Sequence, residues 1–505
     1  MSMRSAARAL GPTLAGLALV AVGCTDQPRP LEPAALAPTD AAARAVAQAV
    51  GPTLVDGNLA VRTAASGLVQ PTAMAFIGPR DFLVIEKASG RVLRFRDGIA
   101  MGPVLDLAVN SFSERGLLGI AVHPDFPANP SVFLFWTEST TGADSPLAPD
   151  VPLLGNRIDR FVWNGSSLAL ASNLIRLRSF QADAGQPLRG NHHGGVLEFG
   201  PDAKLYAFFG DQGRRGWLQN LPCGPTPTCP GPIVPDDQFG GPQPDNAHMS
   251  GVVLRLNTDG TAPTDNPFYG AGAAMGGEVG ANVQKVYSYG HRNSFGMAFD
   301  PEAGTLWLQE NGDDSFTELN RVTPGMDGGW VQIAGPVSRV AEFRAIETSA
   351  QFFGLQQLRW SPVNIATTPA QALARLFLLP GAHYEDPALA WKFEIAPAGL
   401  GFIRGRALGP QYDGDLVMGA SRETLAQGYL FRFNLTGNRR AIGTDDPRLA
   451  DRVADNLAKF DITESESLLF GSDFGVGTDV QTGPNGNLFV VSLSDGVVYE
   501  IYRRK

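Results

Sequence analysis

The sequence predicts an all-β fold, a six-bladed β-propeller of four-stranded antiparallel sheets over residues 57–505. Three observations lead there. Glycine (59) and proline (38) are abundant while helical patterns are few, which is the composition of a chain with many turns and short strands. A unit of proline, polar turn and apolar strand recurs six times. Each copy is followed by a second strand of the form apolar-Arg-apolar, an alternation that suits one covered and one exposed face.

The copies can be taken in order. The turn and strand appear at Pro79-Arg80-Asp81 before Phe82 to Ile85, at Pro124-Asp125 before Val132 to Phe135, and at Pro201-Asp202 before Leu205 to Phe208. They return at Pro301-Glu302 before Leu306 to Leu308, at Pro410 with Asp413-Gly414 before Leu416 to Met418, and at Pro484-Asn485-Gly486 before Leu488 to Val491. The partner strands carry Arg94, Arg160, Arg255, Arg321 and Arg432, with Glu500 in the last copy. A β-sandwich also spaces its turns regularly, but six copies exceed what one sandwich needs, and radial repetition leaves only short, protected edges. Long insertions around 138–156, 211–250 and 333–395 are expected as loops on one face, where ligand sites are built, with a short helix within 368–378.

The formal charge of -10, with no lysine/arginine run, excludes a phosphate-backbone ligand, so no nucleic acid is expected as a partner. Residues 1–24 read as an export signal, with Arg4 and Arg8 ahead of an apolar stretch from Leu14 to Val22 too short to span a bilayer comfortably. The segment ends in Ala21-Val22-Gly23-Cys24, which resembles a bacterial lipobox. An exported, periplasmic or cell-surface protein anchored by lipid on Cys24 is therefore expected, with an ordinary cleaved signal as the alternative. Residues 25–56, rich in Pro and Ala, would form a tether. An exported context and a tight Gly/Pro loop favour a local disulfide between Cys223 and Cys229 over a metal pair or free thiols.

Two of the six histidines fall in Gly190-Asn191-His192-His193-Gly194-Gly195, a glycine-flanked turn ahead of an apolar run. Such a turn projects side chains from a strand end into a cavity, although a solvated polar loop has the same composition. Tyr289 to Pro301 repeats the layout, and His192 and Arg292 each stand nine residues before the turn prolines Pro201 and Pro301. If the blades are equivalent by rotation, both side chains open on the same axial mouth. A histidine base and a guanidinium facing one cavity can remove a proton while stabilising developing negative charge; the alternative for Arg292 is a structural pair with a nearby acid.

Glu114 and Arg115 head a strand that becomes fully apolar, which starts either in solvent or at a polar cavity. Asp211 in Gly210-Asp211-Gln212-Gly213, with Asp236, Asp237 and Asp245, puts carboxylates in a glycine-rich insertion. These could bind calcium, but they lack EF-hand spacing and are expected to be solvated. Glu310-Asn311-Gly312-Asp313-Asp314 can offer backbone carbonyls and carboxylates to a hard cation. Arg404 and Arg422, converging on one mouth, would suit an anionic polycarboxylate or phosphate.

Taken together, Glu114 to Phe126, the His192 turn, Ser250 to Pro267, Gly290-His291-Arg292-Asn293 and Glu318-Leu319-Asn320 with Gly328-Gly329-Trp330 resemble the glucose/sorbosone dehydrogenase family. The likeness covers nearly all of residues 59–505. It implies a soluble aldose sugar dehydrogenase that uses pyrroloquinoline quinone (PQQ) and Ca2+, held in the axial mouth of a six-bladed propeller. By that resemblance His192 is the general base taking the anomeric hydroxyl proton, and Arg292 and Asn293 contact the quinone. Glu114, Arg404 and Arg422 are the remaining cofactor-binding positions, and Gly312 and Asp313 bind calcium through backbone carbonyls. The chain departs from the family pattern with Glu114 for Gln, Arg404 for Lys, Asp313 for Pro, His193 after the base, and Val196 where Arg is frequent. The expected partners are a sugar and an electron acceptor that the sequence does not identify. Two other classes stay open: a propeller that binds carbohydrate or protein without catalysis, and a calcium-dependent lactonase.

Overall fold

The structure is a computed structural model, and it describes residues 51–180, 189–213, 216–221, 249–352, 361–422 and 427–505. The expected signal segment with Cys24, most of the 25–56 tether, and the Cys223–Cys229 disulfide lie outside the described residues.

The described chain is all-β, with strands far outnumbering short helices, and its sheets are arranged as a β-propeller. Five blades draw their first four strands in sequence order, beginning with Pro71–Gly78, Leu117–Val122, Leu197–Phe199, Met297–Phe299 and Pro397–Phe402. A further sheet is composite. It takes Gly477–Thr482, Leu488–Ser492 and Val497–Arg503 from the carboxyl end and Leu59–Ala65 from the amino end. These first strands line the centre, each touching the next, and Gly477–Thr482 touches Pro71–Gly78 to complete the circuit.

The expectation of six equivalent four-stranded antiparallel blades is therefore corrected to five blades whose first four strands follow sequence order and one closing sheet of mixed origin. Three sheets also exceed four strands, two of them through parallel pairings of Met326–Asp327 and Val453–Ala454. The extra strands come from connecting segments and from the amino end, and each covers a blade edge that would otherwise expose unpaired backbone. The helix expected within 368–378 is Pro369–Ala374, capped by Thr368, whose hydroxyl accepts from the Gln371 N–H.

The repeat has a structural reason. Each of its six turns joins the first and second strands of a sheet, and each apolar-Arg-apolar segment is the third strand. Arg94 reaches across its sheet to the turn carboxylate of Asp81 with two bonds of 2.9 and 2.6 Å. Arg255 does the same to Asp202 at 2.8 Å, and Arg432 to Asp415 at 3.2 Å. In the composite sheet the charges are inverted: Glu500 accepts from Arg62 of the amino-terminal strand and from Asn485 and Asn487 of its own turn. In these four sheets the motif is thus a clasp between turn and third strand, whereas Arg321 turns instead to Glu385.

Glycine lets the inner strands crowd the axis. A Cβ at Gly119 would overlap the Gly195 carbonyl, and one at Gly401 the Val480 carbonyl. Outward from the axis, neighbouring sheets pack apolar faces, as where Phe133 and Phe135 meet Leu205 and Phe209, all fully or almost fully buried.

Candidate active site

Inner strands start, and second strands end, at one axial face, so the loops on that face lie side by side. Glu114, His192, Arg292 and Asn293 precede inner strands there, while Asp211, Gly312, Asp313 and Arg422 follow second strands. Backbone bonds stitch these loops together, within a blade and from one blade to the next. The Asp211 N–H donates to the Arg292 carbonyl at 2.8 Å, the Asn311 N–H to the Asn293 carbonyl at 2.8 Å, and the Ser421 N–H to the Ala396 carbonyl at 2.9 Å. His192 and Arg292 stand at the same distance before their inner strands, which begin at Leu197 and Met297, so both approach from the same axial face.

His192 adopts a left-handed backbone (φ 57°), uncommon for a residue with a side chain and characteristic of positions fixed by their surroundings. Its N–H donates to Glu114 Oε2 at 2.7 Å, and the same oxygen accepts from Asn293 Nδ2 at 3.1 Å. One carboxylate thus joins three blades. His192 Nδ1 lies 2.6 Å from Asp211 Oδ1, which also accepts the Gly213 N–H at 2.8 Å, and Asp211 Oδ2 accepts from Trp330 Nε1 at 2.6 Å. Because the carboxylate only accepts here, Nδ1 carries a hydrogen, which in a neutral imidazole leaves the lone pair on Nε2. Nε2 makes no hydrogen bond among the described residues.

His193 is the opposite case. Its Nδ1 accepts from Asn156 Nδ2 (2.8 Å) and Gln212 Nε2 (3.1 Å), both of which also donate to the Arg178 carbonyl. Burial, helped by the nearby Arg115 guanidinium, pushes its pKa well below the usual range, so it stays neutral. Of the adjacent histidines, only His192 is equipped as a base.

Arg292 is buried. Burial opposes its charge, but Asp313 foremost among four carboxylates holds it protonated. It donates to Asp313 Oδ1 at 2.5 Å and to the Asn311 carbonyl at 3.1 Å, and its guanidinium stands over the Trp330 ring at 5.5 Å. The acid pairing left open for Arg292 is therefore real, and it coexists with a place beside His192. Trp330 links the two, with its N–H on the histidine's partner and its face on the arginine. Asp211, expected to be solvated, is instead fully buried against His192 and Trp330, and the sequence reading assigned neither Asp211 nor Trp330 a part beside the base. Gly210-Asp211 closing the strand after the histidine turn was the available signal.

Arg422 stays at this face, stacked on Tyr429 at 5.1 Å. Arg404 does not, and its expected convergence with Arg422 is corrected. Pro397 pairs with Ala420 and Phe402 with Leu416, so Arg422 and Arg404 leave opposite ends of one hairpin. Arg404 lines a cavity of about 270 Å³ at the other end of the axis, together with Glu198, Gln481 and Thr482. Burial first, and then the neighbouring Asp479, raise the Glu198 carboxyl to about 8.

The residues at the His192 face fit a planar quinone carrying carboxylates. Buried Arg292 Nε and Asn293 Oδ1 have no hydrogen-bond partner among the described residues, and Arg422 adds a cation. For calcium, Asp313, Asp314 and Glu347 bring carboxylate oxygens within 4.8 Å of one another, a donor set suited to a hard ion. The Asp313 carbonyl itself already accepts Lys459 Nζ at 3.3 Å.

The model of the family described as Glucose / Sorbosone dehydrogenase matches residues 68–366. A relative named quinoprotein glucose dehydrogenase B, from Acinetobacter calcoaceticus, is 31% identical over 278 residues, which is 54% of this chain and 52% of that protein. The match thus spans about half the length of that relative. Among solved structures, a putative oxidoreductase (glucose dehydrogenase) of Thermus thermophilus superposes with a TM-score of 0.55 at 24% identity, covering 88% of this chain and 99% of that one. The PQQ-bound aldose sugar dehydrogenase of Streptomyces coelicolor superposes with a TM-score of 0.53 at 22% identity, over 88% and 98% of the two chains. These structural likenesses show a common fold. With the propeller, the axial cluster and a family match over more than half of its length, the chain belongs to the glucose/sorbosone dehydrogenase family.

Proposed function

We propose that this protein is a PQQ-dependent sugar dehydrogenase, oxidising an aldose or related sugar aldehyde and passing electrons to a separate acceptor. The observation that carries the reading is the His192 imidazole, held through Nδ1 by Asp211 at 2.6 Å, with Nε2 outside any hydrogen bond among the described residues and Arg292 entering from the same axial face.

In this reading His192 Nε2 takes the proton from the anomeric hydroxyl, and Asp211 stabilises the imidazolium that results. The left-handed backbone and the Glu114 bond keep the ring from swinging away, so the reacting geometry is set before substrate arrives. Arg292 holds positive charge where negative charge develops, and its desolvation makes that charge count for more than it would in water. Arg292, Asn293, Glu114 and Arg422 would hold the quinone, and Gly312 and Asp313 the calcium. When bound, the quinone accepts the hydride and the ion acts as a Lewis acid. Placement in the periplasm or on the cell surface through a lipid on Cys24 completes the proposal.

The test is reconstitution of the purified full chain with PQQ and Ca2+, followed by dye reduction with a panel of sugars. Sugar-dependent reduction is expected. No turnover with any sugar would favour a binding propeller, and lactone cleavage without quinone a calcium-dependent lactonase.

A further inference from the structure

The loop between Leu306–Glu310 and Ser315–Val322 gathers three buried carboxylates against one helix end. Two cations meet them. Arg292 Nη2 pairs with Asp313 Oδ1 at 2.5 Å and Lys459 Nζ with Asp314 Oδ1 at 2.8 Å, while Glu347 receives neither. Three carboxylates against two cations leave one in excess in a region screened from water, where burial and the neighbouring aspartates push the Glu347 carboxyl well above its usual range.

Glu347 shows where the excess falls. Its Oε1 accepts from the Asp314 N–H (3.2 Å), the Ser315 N–H (3.0 Å) and Ser315 Oγ (2.6 Å), whereas Oε2, also buried, has no hydrogen-bond partner among the described residues. Glu347 is also the last residue of the helix Val340–Glu347, where unpaired carbonyls favour a cation and disfavour a carboxylate. The next acid along, Glu394, is already bonded by Thr317 Oγ1 and the Ala396 N–H. Lys459 is the one partner with a route out, its side chain being 21% exposed beside carboxylates at 4–6%.

We propose that Asp313, Asp314 and Glu347 form a carboxylate site for a hard divalent cation of the calcium type, which displaces the Lys459 ammonium from Asp314. Carboxylate oxygens are the ligands such ions prefer, and Glu347 Oε2 is the ligand atom without another partner. The site differs from the Gly312 and Asp313 carbonyls that the family resemblance implies. It also stands whether or not the protein oxidises sugars.

The experiment is calcium chloride titration of the chelator-treated full chain, by calorimetry and by thermal unfolding. Wild type is expected to bind calcium and melt higher with it than with chelator, since a ligand of the native state stabilises it. Glu347→Gln keeps an acceptor for the Asp314 and Ser315 donors, and is expected to lose one calcium or to bind at least tenfold more weakly. Lys459→Gln removes the competing ammonium and should bind severalfold tighter. Absence of calcium binding to wild type, or unchanged affinity and stoichiometry in Glu347→Gln, would overturn the proposal. Should Glu347→Gln fail to fold, unchanged affinity in Lys459→Gln would do the same. A site made of backbone carbonyls alone predicts that unchanged result.

Discussion

The two ends of the axial channel are lined by the same inner strands but are organised differently. At the His192 end, charged groups are tied by partners from their own and neighbouring sheets: Glu114 by His192 and Asn293, Asp211 by His192 and Trp330, Arg292 by Asp313. At the Arg404 end, Glu198 and Arg404 face a cavity, and the guanidinium is exposed. Interlocked polar groups hold one another's geometry, and none can be removed without stranding another. The first end is therefore organised before any ligand arrives, and the second is only a charged opening. If this contrast is functional, substitutions should separate the two ends sharply.

The largest effect is expected at His192. His192→Ala should lower kcat by roughly 10³-fold, within the usual range for loss of a general base, with PQQ affinity little changed. Steady-state kinetics and quinone titration check it, and a retained rate would remove His192 as the base. Asp211→Asn comes next, at about 10²-fold in kcat. An amide can donate to Nδ1 and force the hydrogen onto Nε2, so the ring is held but in the wrong tautomer. An unchanged kcat across the pH range would show that Asp211 only packs the loop.

The contrast is sharpened by a pair of arginines. Arg422→Gln should weaken PQQ binding about tenfold, the scale of one charge-assisted bond. Arg404→Gln should leave it within about twofold, because Arg404 lies at the other end of the channel. Equal losses in the two variants would mean that the ends are not independent.

That arginine pair also shows how far the sequence could be read. The distance from His192 and Arg292 to a turn proline brings both to one face of the propeller, because a strand of fixed rise converts similar offsets into similar heights. The same rule puts Arg404 at the far end. It follows an inner strand running away from the His192 face, while Arg422 follows the strand that returns. Strand direction, legible in the repeat, therefore separates two arginines that charge alone would group together. Asp211 stood in plain view between glycines, but a carboxylate in a loop carries no mark of which imidazole it will meet, since that pairing crosses 19 residues of chain. Glu347 and Lys459 were out of reach, being brought to Asp314 from 33 and 145 residues away. The blade pattern failed where closure required the amino-terminal strand, because a repeat read along one direction cannot show which terminus completes the circle.

The smallest effect tests the other end directly. The Glu198 carboxyl rises from an ordinary 4.5 to about 8, chiefly through burial, so the folded state holds its proton more tightly than the unfolded chain does. Its contribution to stability is complete below pH 4.5 and is lost as pH rises towards 8. Wild-type Tm should therefore decline between pH 6 and 8, and Glu198→Gln, which cannot ionise, should decline less by roughly 2 °C. Burial also raises Glu318 to about 8 and Asp327 and Glu394 to about 7. Those acids keep their share of the slope in the variant, which is why the difference is small. A slope identical to wild type would mean that Glu198 is ionised in the folded protein and paired with Arg404. The Arg404 end would then be another locked cluster, and the distinction between the two mouths would fail where it is easiest to measure.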